Sequence, residues 1–216
     1  MIFIAGKMAG LREMREDDKN EVVAWRNLTE NARWLIQWEP LTTARHLEWF
    51  RDSTARQDAN FIIQSPVGVP IGAGSLYGFD RQGGSAEWGR LSTAAPKRLA
   101  LPTIEGCYFI LRFAFELLNL KRVHGSCAVE NTSAHRLNEF FGFVTEGRRR
   151  RHLLTPRGYL DTFELGLFPD EFETARSKVE ELFYKDGRVP AFSPAALSFT
   201  QSLRLSLGAK NENPEE

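Results

Sequence analysis

Inside a strand-forming run, the stretch SAEWGRL (residues 85–91) carries a carboxylate. Strand alternation sets Glu87, Gly89 and Leu91 on one face and Trp88 and Arg90 on the other. A carboxylate on a half-buried strand is uncommon without either work or a partner. As work, it suits a general base, with Gly89 leaving space beside it. As structure, it suits an ion pair across to a neighbouring strand or to Arg98. His124, in KRVHGSC, is a second candidate base because a free imidazole titrates near neutrality. Its alternative is a satisfied histidine within a strand. The stretch CAVENTSAHRLNEFFGFVTEG (residues 127–147) brings Asn131, Ser133 and Asn138 to one strand–helix junction. Asn131, Thr132 or Ser133 caps that helix, and Gly142 stops it.

These residues need elements to hold them. LREMREDDKNEVVAWRN reads as a short strand and then a helix capped by Asp17 or Asp18, with Val22, Val23 and Trp25 as its apolar positions. A second helix is expected over residues 43–54, burying Leu47, Trp49 and Phe50. NFIIQ, PIGAGSLYGFD and SAEWGRLST are then separated by the turn clusters SPVGVP and DRQGG, which reads as a three-strand antiparallel meander. A long helix follows over residues 102–118, with Pro102 in its first turn. KRVHGSCAV is a strand, TSAHRLNEFF a helix, and residues 143–168 a hairpin. The order β-α-α-β-β-β-α-β-α-β-β gives an α/β fold with a mixed sheet and helices on its faces.

The chain of 216 residues is 42% hydrophobic with 16 Phe, enough for one sizeable core. Its formal net charge of zero argues against a broad basic nucleic-acid surface. The two cysteines, Cys107 and Cys127, are too few for a disulfide framework or a zinc cluster, sit in apolar runs and read as buried free thiols. The N-terminal residues lack a basic region followed by a long apolar run, so no signal peptide is expected. The longest apolar run, CYFILRFAFELL, is too short for a membrane span and contains Arg112. A cytoplasmic protein with no metal, no membrane and no nucleic-acid partner is expected. Residues 1–185 are read as one domain. Residues 186–216, with two prolines near their start and a polar end, are read as an appended segment holding one helix and a disordered tail.

Taken in order, LREMREDD…VVAWRN, AEWGRLS, FAFELLNLKRVHGSCAVENTSAHRLNEFFGFVTEG and RGYLDTFELGLF resemble the GNAT superfamily of acyl-CoA N-acetyltransferases over residues 11–168. The branch resembled includes ribosomal-protein and nucleotide-linked amino-sugar N-acetyltransferases. The resemblance implies a mostly antiparallel sheet splayed between its fourth and fifth strands, here residues 85–93 and 121–129. It also implies acetyl-CoA as cosubstrate and attack of a neutral amine on the thioester.

By the same resemblance, RLALPT would hold the pyrophosphate through Arg98, Leu99, Ala100, Leu101 and Thr103, at a helix N-terminus where free N–H groups point at an anion. Leu101 stands where the family has glycine, and a positive φ there would carry strain. The pantetheine arm would lie along the backbone of Leu91, Ser92 and Thr93. Asn131, Ser133 and Arg136 would line the cofactor. Asn138 falls at the position of the family's acid, a tyrosine, and its amide donates a hydrogen bond but no proton. Water, Ser133 or Tyr159 is the replacement.

Four of the five tryptophans fall between Trp25 and Trp49. The family builds its acceptor wall from this region, which implies acceptor contacts from Arg26, Asn27, Trp38 and Tyr77. Flat aromatic faces suit sugars and nucleobases, and Arg26 and Arg33 suit a nucleotide diphosphate. Core packing is the alternative for each tryptophan. RRRRH (residues 148–152) reads as a solvated strand face or as a phosphate contact. The acceptor expected is a small-molecule amine, foremost a nucleotide-linked amino sugar, in a protein that can form a homodimer. A protein α-amine is the second reading, and a non-catalytic domain, suggested by Leu101 and Asn138, the third.

Overall fold

A computed structural model describes residues 1–35, 39–94 and 100–208. The strands are β1 (Ile2–Ala5), β2 (Gly10–Glu13), β3 (Ala59–Gln64), β4 (Pro70–Asp80), β5 (Ser85–Thr93), β6 (Arg122–Ala128), β7 (Val144–Thr155) and β8 (Gly158–Leu167). The helices are α1 (Lys19–Asn27), α2 (Thr29–Ala32), α3 (Thr43–Ala55), α4 (Ala100–Arg112), α5 (Thr132–Phe140), α6 (Pro169–Phe183) and α7 (Pro194–Ser206). The strands form one sheet in the order β1-β2-β3-β4-β5-β6-β8-β7. All neighbours run antiparallel except β5 and β6, which run parallel.

Side-chain alternation sends each strand's residues to two separate cores. From β3, Phe61 and Ile63 pack with Leu76, Trp88 and the α4 residues Cys107 to Leu111. Ile62, between them in sequence, packs instead with Ala73 and with Met14, Val22 and Trp25. The α1 and α3 helices therefore cover one face, and α4, α5 and α6 the other. Every residue of α4 from Glu105 to Arg112 is buried, which explains its unbroken apolar run. A π turn over Phe113–Leu117 ends this helix, where the sequence suggests regular helix to Leu118.

Three elements fall outside the order read from the sequence: β1, the one-turn α2 and α6. β1 is only four residues long and gains its place by pairing with β2. The α6 helix begins at Pro169, directly after β8, with Glu171 Oε2 accepting from Phe168 N at 2.8 Å. Buried Glu105 ties the termini together. Its carboxylate accepts from the N–H groups of Lys7 (3.0 Å), Met8 (2.7 Å) and Ala9 (2.6 Å), and from the Tyr184 hydroxyl. The single helix expected beyond residue 186 is α7. Its Ala196, Phe199 and Leu203 join Phe3 and Phe113 in the larger core.

Candidate active site

The sheet sets three of the singled-out residues in one row. Tyr77 on β4 pairs with Glu87 on β5, and Glu87 pairs with His124 on β6. The Tyr77 hydroxyl donates to Glu87 Oε1 at 2.7 Å. Gly89 leaves room for this bond, since a Cβ there would stand a tight 3.1 Å from the Tyr77 oxygen. Glu87 and His124 are also the last paired residues of β5 and β6, although β5 runs on to Thr93 and β6 to Ala128. Beyond Glu87 the strands part, as the splay inferred from the resemblance requires. On that side, the backbone from Trp88 to Thr93 has no ladder partner among the described residues.

A β-bulge then re-aims β5. Ser75 pairs with Gly89 and Ala73 with Ser92, so Arg90 and Leu91 together oppose Gly74. Arg90 takes a positive φ of 56°. This corrects the simple alternation: Arg90 lies on the face of Glu87, not opposite it. Its guanidinium sits 3.7 Å from the Tyr77 ring centroid and 5.3 Å from that of Trp49, and bonds Asp58 Oδ2 at 2.7 Å. Arg90 and Glu87 thus clasp Tyr77 from two sides. Burial, with the bond to Glu87 second, pushes the Tyr77 phenol well above its usual range, so it stays a donor.

The other candidates fall around this row. His124 is half-buried beside the Arg122–Glu146 ion pair, and no described residue bonds its ring. Asn138 is buried on the opposite face, where its Oδ1 accepts from Trp88 Nε1 at 2.9 Å and its Nδ2 donates to Ala134 O at 2.8 Å. The Oδ1 end ties α5 to the sheet, while the Nδ2 end bonds within α5. Asn131 caps α5, accepting from Ala134 N at 3.2 Å, while Ser133 and Arg136 on the same helix are exposed. Tyr159 is 61% exposed near the β7–β8 turn.

Ala100, Leu101 and Thr103 form the first turn of α4, whose leading N–H groups have no intrahelical acceptor. Leu101 is helical with no positive φ, so the strain that its side chain would bring does not arise. Arg98, Leu99 and Trp38 lie outside the described residues. An unpaired strand edge leading to a helix N-terminus fits an extended arm ending in a pyrophosphate, the shape of acetyl-CoA.

On the α1 side, Asn27 bonds the backbone of Leu41 through both ends of its amide, at 2.9 and 2.8 Å. Asn31 donates to Thr93 O at 3.0 Å, tying this segment to the end of β5. Arg157, at the β7–β8 turn, donates to Arg33 O at 2.7 Å and lies 5.7 Å from the Trp34 ring. Trp25 is core, Trp49 partly so, and Trp34 stands between two arginines. Most of the RRRRH run is paired along the strand, Arg148 with Asp161 at 2.6 Å and Arg149 with Glu164 at 2.9 Å.

Cys107 is buried but Cys127 only half so; burial raises both thiols, that of Cys127 to about 11, so neither is a ready nucleophile. Among the described residues there is no metal-binding cluster of His, Cys, Asp and Glu, and no helix long and apolar enough to cross a membrane.

Sequence reasoning placed Tyr77 on the acceptor side and missed its bond to Glu87. The DRQGG turn could not give it, because pairing Asp80 with Ser85 in unbroken register sets Tyr77 opposite Trp88, and a register shift between Tyr77 and Asp80 brings Glu87 there instead.

Residues 9–144 match the family model described as an acetyltransferase (GNAT) domain. An uncharacterized SPbeta prophage-derived N-acetyltransferase of Bacillus subtilis, YokL, is 27% identical over 126 residues, covering 58% of this chain and 71% of that protein. A GCN5-related N-acetyltransferase from Brucella melitensis superposes with a TM-score of 0.71 at 20% identity, over 93% of this chain and 94% of the other. Spermidine N-acetyltransferase from Vibrio cholerae, solved with CoA and spermine, gives 0.66 at 22% identity, over 77% and 98%.

Proposed function

The chain belongs to the GNAT acetyltransferases, acetyl-CoA-dependent N-acetyltransferases, and on that premise we propose that Glu87 is the general base that frees the acceptor amine for attack. The observation that carries the reading is the place of Glu87: the last paired residue before β5 and β6 part, held by Tyr77 at 2.7 Å.

Bound acetyl-CoA supplies an acetyl thioester, whose C–S bond breaks as the amine's C–N bond forms. Glu87 accepts the amine proton, directly or through one water, contributing about 10²–10⁴-fold. Tyr77 is a positioning residue that fixes the carboxylate. A backbone N–H of β5 at or beyond Leu91 holds the carbonyl oxygen as its charge grows. Asn138 has no proton to give and is already bonded at both ends, so the leaving thiolate takes its proton from solvent. The first turn of α4, with Ala100, Leu101 and Thr103, holds the pyrophosphate. His124, beside Glu87, is the alternative base.

For the acceptor we favour a nucleotide-linked amino sugar. The support is local: Arg33 and Arg157 flank Trp34, and the charge of Arg26 is felt at His46, beside Trp49. The Vibrio cholerae neighbour raises a polyamine as the competing acceptor. Calorimetric titration with acetyl-CoA, followed by thiol release with amino-sugar nucleotides, spermidine and N-terminal peptides, tests the reading. Micromolar cosubstrate binding with release only for polyamines would overturn the acceptor assignment.

A further inference from the structure

Among the described residues, three buried side-chain polar atoms lack any hydrogen-bond partner: Arg26 Nε, His46 Nε2 and Ser92 Oγ. They come from α1, α3 and β5, yet they face the same layer. Ser92 pairs with Ala73, which packs against Val22 and Trp25 of α1. His46 stacks 5.3 Å from Trp49, a residue of that same cluster. The charge of Arg26 is felt at both His46 and Arg90.

Arg26 is half-buried with its Nε enclosed; a guanidinium cannot shed its proton in practice, and an enclosed N–H without an acceptor is costly. Neighbouring carboxylates do not serve it. Asp18 is held by Arg12 at 2.6 and 2.8 Å and by Arg15 N at 2.7 Å. Asp58 is held by Arg90 at 2.7 Å, with Arg56 at 3.5 Å. Glu87 is held by Tyr77. Burial and the nearby Arg26 keep the His46 ring neutral, with its pKa down at about 4, so it offers one N–H donor without adding charge. Three unmet groups able to donate, one of them cationic, describe a place for an anion.

We propose that Arg26, His46 and Ser92 form an anion subsite for the acceptor, which is therefore an amine bearing a phosphate or carboxylate rather than a polyamine. The assignment of this anion to the acceptor rests on the acetyl-transfer reading above; the existence of the subsite does not. The same chemistry can come from CoA's own phosphates, so the test separates the two sources.

The test is titration of inorganic pyrophosphate into protein already saturated with CoA, for wild type, Arg26→Gln and Arg26→Lys. Binding to the wild type is expected, weakened about 10–100-fold in Arg26→Gln and less in Arg26→Lys, with CoA affinity unchanged. In turnover, ethanolamine phosphate is expected to outperform ethanolamine and spermidine, and that preference falls in Arg26→Gln. No pyrophosphate binding to the CoA-saturated wild type, or equal binding in Arg26→Gln, would overturn the subsite. Loss of CoA affinity in Arg26→Gln would assign Arg26 to the cosubstrate and overturn the acceptor inference. Pyrophosphate binding without thiol release from any amine would instead count against the acetyl-transfer reading.

Discussion

The Tyr77 hydroxyl donates to Glu87 Oε1 at 2.7 Å from the directly opposite position on the adjacent strand, with Arg90 stacked on the tyrosine ring. This bond limits the rotamers open to the carboxylate at the mouth of the splay. Tyr77→Phe is expected to lower kcat about tenfold, within the range of a hydrogen bond to a charged group. The KM for acetyl-CoA should stay put. Steady-state kinetics check the split; a fall in cosubstrate affinity with kcat unchanged would show that Tyr77 serves binding instead.

Asn138 is expected to matter for stability rather than turnover. Asn138→Ala leaves the buried Trp88 indole N–H without an acceptor, at a cost of about 1–3 kcal/mol. For a chain of this size that lowers Tm by roughly 2–4 °C per kcal/mol. Thermal melting and kcat measured on the same sample separate the roles. A large drop in kcat with an unchanged Tm would return Asn138 to the chemistry.

His46 makes stability depend on pH. Its folded pKa, about 4, lies below the unfolded value because of burial, with Arg26 adding and Asp18 opposing. A depressed histidine leaves the unfolded state holding more protons, so stability present above pH ~6.5 is lost as pH falls toward 4. His46→Gln is expected to flatten the Tm profile over that window. An unchanged slope in the variant would contradict the assignment.

Glu105 anchors the β1–β2 turn to α4 and Tyr184. Glu105→Gln turns an acceptor-only group into one that presents a donor to backbone N–H groups. A loss of about 3 kcal/mol or more is expected in denaturant unfolding. A loss under about 1 kcal/mol would mean that water replaces the carboxylate.

Much of the fold was legible because its signals are local. The Gly- and Pro-rich turns bounding residues 70–80 and 85–93 mark the meander, and Asn131 two residues ahead of Ser133 marks a cap. Glu87 was singled out by alternation and by the rarity of a carboxylate on a half-buried strand. Arg90 was not, because the bulge that turns it over sits on an arginine at positive φ, with no glycine to mark it. Asn138 was singled out by its place at the family's tyrosine position; its bond to Trp88, 50 positions away, was not legible. The orphaned atoms of Arg26, His46 and Ser92 come from three elements, and only tertiary packing brings them to one face.

The most direct test of the account is thiol release from acetyl-CoA by wild type and Glu87→Gln, with acetyl-CoA affinity measured by calorimetry on both. The account predicts turnover about 10²–10⁴-fold lower in the variant at unchanged affinity. Equal turnover in the two proteins would remove Glu87 from the mechanism and pass the role of base to another group, His124 first.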